Sequence, residues 1–206
     1  MKKLLILLLV FGISSPAIAT VAVNCQDLGS WVAEFNYDIS GESCLVRAFS
    51  LNITVGGGAT IESIFDFHVG PSTAGDLGYG IFMDAPINID PNEDIDWGNP
   101  VVDPESPGAL PGLGTYGITI AMGALYEGAE NAPLLSDTLF RLLVNPHGAS
   151  AVNISIAEEN TYRGGIIMED GNPPTGVNLS GCTLVPEPMT ILLLGVGGLA
   201  LLRKRR

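Results

Sequence analysis

Asp90, Asn92, Asp94 and Asp96 place four oxygen-bearing side chains at alternate positions of the stretch Asp-Pro-Asn-Glu-Asp-Ile-Asp. Positions 1, 3, 5 and 7 of a calcium-binding loop have this spacing, because a hard cation gathers oxygens from one tightly curled segment. Two positions depart from such a loop. The sixth is Ile95, where a sharp turn needs Gly, and the twelfth is Val101, where a bidentate Glu belongs. A looser calcium site drawing on Asp103 or Glu105 is one reading of the stretch, and a solvated acidic loop is the other. Trp97 follows directly. An indole beside Asp and Asn either stacks on a sugar ring or folds back over the edge of a core.

Other chemistry finds less support. No Gly-x-Ser-x-Gly elbow occurs, and no Ser or Cys stands in the context of an activated nucleophile. Carboxylates are so abundant that some pair meets a glycosidase separation by chance, so their number argues for nothing. The expectation is that the protein is not an enzyme. His68 and His147 lack the spacing of paired metal ligands and read as surface residues. Asn52, Asn153 and Asn178 each open an Asn-x-Ser/Thr triplet, but all three overlap strand patterns and read as strand composition. Three cysteines, Cys25, Cys44 and Cys182, permit one disulfide by any of three pairings. A bond involving Cys182 is favoured, since it ties the end of the domain to its start.

The elements that must position these residues are strands. Trp31, Ala33, Phe35, Tyr37 and Ile39 alternate with mostly polar neighbours, and so do Phe49–Val55, Phe65–Val69, Tyr116–Met122 and Val152–Ile156. Period-two alternation marks half-buried strands. Residues 80–83, 138–144, 165–168 and 176–179 add short candidates. Gly, Pro and Asn clusters punctuate them, and no long helical stripe occurs before the carboxyl terminus. About nine strands arranged this way predict an all-β, antiparallel β-sandwich. Residues 84–114 are rich in Pro, Asp, Asn and Gly and read as one long acidic loop between strands.

The two ends differ from the body. Lys2 and Lys3 precede an apolar run from Leu4 to Ile13 and then Ala17-Ile-Ala19. This is the layout of a signal peptide cleaved after Ala19. The carboxyl end carries Pro186, Glu187 and Pro188, an apolar run over 189–202, and the basic tail Arg203, Lys204, Arg205 and Arg206. As a helix the run would span roughly 21 Å, short of the roughly 30 Å hydrocarbon core of a bilayer. Setting the ends aside leaves three arginines (Arg47, Arg141, Arg163), no lysine and 21 carboxylates, a net charge of −18. Such a body repels nucleic acid and anionic lipid surfaces.

The order of the tail, Pro-Glu-Pro then apolar run then cationic cluster, resembles the PEP-CTERM sorting signal of bacteria that make exopolysaccharide. The resemblance implies processing by a membrane peptidase, the exosortase, transient membrane contact through 189–202, and a final place on the cell surface or in the extracellular matrix among exopolysaccharide and surface proteins. It divides the chain into a signal helix (1–19), a sandwich domain (20–184) and a sorting segment (185–206) with an apolar helix. Within the body, Leu45-Val-Arg-Ala-Phe-Ser-Leu-Asn-Ile-Thr-Val55 with Gly58-Ala-Thr-Ile61, and Arg163-Gly-Gly-Ile-Ile-Met-Glu-Asp170 with Val177-Asn-Leu-Ser-Gly-Cys182, resemble cohesin-like domains of bacterial surface proteins. That resemblance implies a jelly-roll sandwich used for structure or protein interaction, with carbohydrate binding in the matrix as the alternative. It transfers no binding residue.

Overall fold

The computed structural model describes residues 20–186. The signal helix, the apolar helix and the basic tail predicted above lie outside that range. Strands Val21–Asp27 (β1), Val32–Asp38 (β2), Val46–Val55 (β3) and Thr60–Phe65 (β4) come first. A two-residue pair follows, Asn88–Ile89 (β5) and Ile95–Asp96 (β6). Then come Gly117–Gly123 (β7), Ser136–Asn145 (β8), Val152–Glu158 (β9), Ile166–Met168 (β10), Val177–Ser180 (β11) and Cys182–Leu184 (β12).

Two sheets face each other. One runs β11-β1-β2-β8-β4; the other runs β10-β3-β9-β12, with β7 on the other side of β3. Their inner faces supply the core. Val21 and Val23, Ala33, Phe35 and Tyr37, and Leu142 and Val144 point in from the first sheet; Phe49, Leu51 and Ile53, and Ile118, Ile120 and Met122 point in from the second. These are the alternate, apolar positions of each strand, which is why the chain chooses strands here. Phe35 and Phe140 stack with centroids 4.6 Å apart. A bulge opposite the Phe35/Asn36 step lets Leu139 and Phe140 both turn inward.

Several expectations need correction. The sandwich is not wholly antiparallel: β1 pairs β11 in parallel, Val21 opposite Val177 through Asn24 opposite Ser180. The strand predicted over Phe65–Val69 instead ends at Phe65. Asp66 takes a left-handed φ of 53°, and the alternation beyond it falls on an irregular segment. The strand predicted from Tyr116 starts at Gly117, leaving Tyr116 exposed. Residues 80–83 make isolated bridges, not a strand. Strands β1 and β12 lacked a clear sequence signal.

The 84–114 stretch is not a free loop. It carries the β5–β6 pair and then lies along the outer edge of β7. The Ala121 amide donates to the Pro100 carbonyl (2.9 Å), and the Val102 amide to that of Thr119 (2.8 Å). The Leu110 amide donates to Thr119 Oγ1 (2.9 Å), which itself donates to Asn52 Oδ1 on β3 (2.6 Å). All seven residues of β7 are therefore buried, on both faces. A strand edge that would offer unpaired backbone groups is covered by its own chain.

Candidate functional site

The acidic stretch is built around Asp90. Its Oδ1 accepts from the Asn92 amide (2.8 Å) and the Asp94 amide (2.9 Å), and its Oδ2 from Asn92 Nδ2 (3.1 Å). These bonds, the Asp94 amide foremost, hold the Asp90 carboxyl below the ordinary Asp range. The Asp94 carbonyl accepts from the Asp90 amide (3.0 Å), closing a tight turn with Glu93 at φ 69°. Asp96 caps the Gly98 amide (2.9 Å), and Asp103 caps the Glu105 amide (2.9 Å). Short acidic side chains bonded to backbone two residues on build turns. The residues thus form a hairpin, Asn88 opposite Asp96 and Ile89 opposite Ile95, and not a coil wrapped around a cation. Among the described residues no three His, Cys, Asp or Glu side chains gather as metal ligands. In this arrangement the Asp90 oxygens are engaged by the Asn92 and Asp94 amides and by Asn92 Nδ2.

What the hairpin presents instead is apolar. Ile87, Ile89 and Ile95 are 51%, 68% and 44% exposed, rimmed by Asp90, Glu93, Asp94 and Asp96. Trp97, just beyond, is half-buried and packs against the core. A Cβ added at Gly70 would stand 3.4 Å from its Nε1, so the indole rests on that glycine and serves the fold.

Each arginine of the body is held in place. Arg163 is the most buried, its side chain 10% exposed. Its Nε donates to Asp84 Oδ2 (2.5 Å) and its Nη1 to the Pro107 carbonyl (3.0 Å), with Glu159 Oε2 3.7 Å away. Glu159, on the β9–β10 connection, is buried. It accepts from the amides of Thr161 (3.2 Å), Tyr162 (3.2 Å) and Arg163 (2.8 Å). Arg163 thus ties the 84–114 segment to the β9–β10 connection at Asp84 and at Pro107. Arg141 on β8 directs Nε (2.7 Å) and Nη2 (2.5 Å) at Glu34 Oε2 and Nη1 at Asp66. Asn36 Nδ2, donating to Glu34 Oε1 (3.1 Å), together with Arg141 holds the Glu34 carboxyl below the usual range. Arg47 donates to the Ala124 carbonyl (3.1 Å), stands 3.7 Å from Glu169 and covers the Tyr126 ring at 4.8 Å.

His68 corrects the expectation of a surface residue. Its side chain is only 9% exposed, with Nδ1 2.9 Å from Asp76 Oδ1 and Nε2 unpartnered. The left-handed Asp66 turns the chain, and Gly78 and Gly80 close over the ring; a Cβ at Gly80 would meet His68 Cδ2 at 2.3 Å. His147 sits in an exposed turn, its Nε2 2.9 Å from Thr60 Oγ1. Cys25 on β1 and Cys182 on β12 form a disulfide, and Cys44 is a free, half-buried thiol. Pro186 is exposed and is the last described residue; Ala17, Ala19, Glu187, Pro188, Arg203, Lys204, Arg205 and Arg206 lie outside that range.

A crevice of about 390 Å³ opens where the turn at Pro71, Ser72 and Thr73 meets the segment of Leu125, Tyr126 and Glu127. Asn131, on a single 3-10 turn (Ala129–Asn131), forms part of its wall, and Asn131 Oδ1 is buried without a hydrogen-bond partner. No sequence motif pointed here.

No family model and no curated protein matches the chain. Among solved structures, the chain is similar to the seventh ScaB type I cohesin of Pseudobacteroides cellulosolvens, with 8% identity over 82% of this chain and 91% of that one and a TM-score of 0.42. It is also similar to a chain of the Coh-OlpC-Doc435 complex, a type I cohesin–dockerin complex of Clostridium thermocellum, with 12% identity over 82% and 95% and a TM-score of 0.40.

Proposed function

We propose that this chain is an exported surface or matrix protein whose β-sandwich is a non-enzymatic structural and protein-interaction module. The observation that carries the reading is the β5–β6 hairpin. Three isoleucines, Ile87, Ile89 and Ile95, stay largely exposed on or beside a hairpin whose turn is fixed by Asp90 and whose approach is clasped by Arg163 at Asp84. Apolar side chains rimmed by charge on a rigid element are the chemistry of a protein contact. The setting agrees: the body is a net −18, and six of the chain's nine basic residues lie in its two ends. The Cys25–Cys182 bond also suits an oxidising compartment. Exosortase processes the tail in this reading, and exopolysaccharide and surface proteins are its final neighbours.

Substituting Ile89→Asp together with Ile95→Asp tests the interaction role. The exported variant keeps the wild-type melting temperature and leaves the surface fraction for the medium. Undiminished retention on the surface contradicts the hairpin's role.

A further inference from the structure

We propose that one end of the sandwich, the end from which the carboxyl-terminal tail leaves, rests on a lipid bilayer surface. The strand pairings bring four stretches together there. The 28–31 turn joins β1 to β2, and the Val144 amide at the end of β8 donates to the Trp31 carbonyl (3.0 Å). The 56–59 turn joins β3 to β4, and 146–151 joins β8 to β9. These two meet through the Gly56 amide on the Asn153 carbonyl (2.8 Å) and His147 Nε2 beside Thr60 Oγ1 (2.9 Å). Residues 112–116 lead into β7. The Gly114 amide donates to the Ile61 carbonyl (2.8 Å), and the Tyr116 carbonyl accepts from the Val55 amide (2.8 Å).

In a body with 21 carboxylates, none of these four stretches contains Asp or Glu. The connections at the opposite end all do, with Glu42 before β3, Asp66 after β4, Glu127 before β8, Glu159 before β10 and Asp170 before β11. At the margin of the neutral end, Asp27 accepts from the Gly29 (2.8 Å) and Val185 (3.1 Å) amides, and Glu62 from Asn145 Nδ2 (2.6 Å). Asp103 and Glu105 flank Pro104, which packs on Gly112, and add to that rim. What the end exposes is apolar. Leu28, Leu113, Tyr116 and Val185 are 44%, 44%, 53% and 45% exposed, and Trp31 is half-buried. Uncharged apolar and aromatic side chains suit the boundary between headgroups and acyl chains.

The exit of the chain selects the bilayer as the occupant. β12 ends at Leu184, Asp27 holds the Val185 amide, and the apolar run begins at Met189. Four residues lie between Leu184 and Met189, and fully extended they reach at most roughly 18 Å. A headgroup layer takes roughly 5–8 Å of that reach. The inference rests on the reading of 189–202 as a membrane contact. With that run in the bilayer, the neutral end has no linker on which to stand away from the lipid.

Tryptophan quenching tests this on the full chain, exported by a host without exosortase so that the tail is retained. The protein is reconstituted in phosphatidylcholine vesicles that contain a lipid with a nitroxide headgroup. Trp31 lies at the proposed contact. Trp97 rests on Gly70, which pairs with Gly80 beside the Ile81–Gly123 bridge at the opposite end. With one tryptophan kept at a time, by Trp97→Phe or Trp31→Phe, the nitroxide quenches Trp31 at least about threefold more than Trp97. Leu28→Asp with Tyr116→Asp brings the two to one level while the chain still floats with the vesicles. Thermal melts check each fold, and Leu28→Ser with Tyr116→Ser replaces the charged pair if it does not fold. Selective quenching that survives the double substitution overturns the proposal. A chain that floats with both tryptophans quenched alike overturns this proposal alone. A chain that does not float overturns the membrane contact of the tail and this proposal with it. The hairpin reading is measured separately, by surface retention.

Discussion

Arg163 and Glu159 show what scarcity means in an acidic chain. With 21 carboxylates and three guanidinium groups in the body, each arginine lies beside at least one carboxylate, and only Arg163 lies beside a buried one. Glu159 is buried, and Arg163 is its cationic neighbour. Replacing Arg163 with Ala strips Asp84 and Pro107 of their anchor and leaves Glu159 buried without it. Urea denaturation should register a loss of about 3 kcal/mol, the scale on which breaking a buried pair acts. Arg47→Ala, at a solvent-exposed pair with Glu169, should cost no more than about 1 kcal/mol. The tyrosines set a limit at alkaline pH. Burial foremost, then the hydrogen bond to Glu169, pushes Tyr126 up to about 12, and burial raises Tyr37 and Tyr79 further. A raised value means the native state holds its protons longer than the unfolded chain. The stabilisation is therefore complete below pH ~10 and is lost as pH rises through the native value. Tyrosinate absorbance and loss of circular dichroism should rise together above that pH. Ionisation of all five tyrosines with the fold intact would contradict this. The three arginines were visible in the sequence as a list; their partners were not, because Asp84, Glu159 and Pro107 converge only through the tertiary fold.

At the scale of elements, alternation made β2, β3, β7, β8 and β9 legible, because one face of each enters the core and the other is polar or small. It failed where the apolar pattern outran the strand. Phe67 continues the period of Phe65, yet it packs edge-on against Phe82, at 5.6 Å, from an irregular segment. It failed again at β12, which is three residues long. The regular spacing of Asp90, Asn92, Asp94 and Asp96 falls on a hairpin, where Asp90 bonds the turn. In a strand, alternate residues share a face; in a coiled loop, they converge on a point. Asp90→Ala should speed amide exchange at Asn92 and Asp94, whose N–H groups lose their acceptor. Melting curves in millimolar calcium and in EDTA should coincide, and a higher melting temperature in calcium would restore the metal site. The crevice at Asn131 had no signature at all, since its walls are more than fifty residues apart in sequence.

For the whole molecule, the sandwich was legible from strand count and punctuation, while the way it closes was not. The disulfide links β1 to β12 across 157 residues, and β1 also pairs β11 in parallel, so the chain's last strands hold its first. Constraining so long a loop removes much of the unfolded chain's freedom. Converting Cys25 and Cys182 to Ser together should cost about 4 kcal/mol, whereas Cys44→Ser should stay within about 1 kcal/mol. Guanidinium titrations of the two variants separate these outcomes. The closure continues past the disulfide, where the Val185 amide donates to Asp27 Oδ2 (3.1 Å) at the end of β1. The export reading predicts a defined covalent product. Intact-mass spectrometry of the protein recovered from outside its native cells should find a chain starting at Thr20, ending near Pro186–Pro188 and two hydrogens lighter for the Cys25–Cys182 bond. An exported chain that retains Met1 or runs intact to Arg206, or one with all three thiols free, would contradict it.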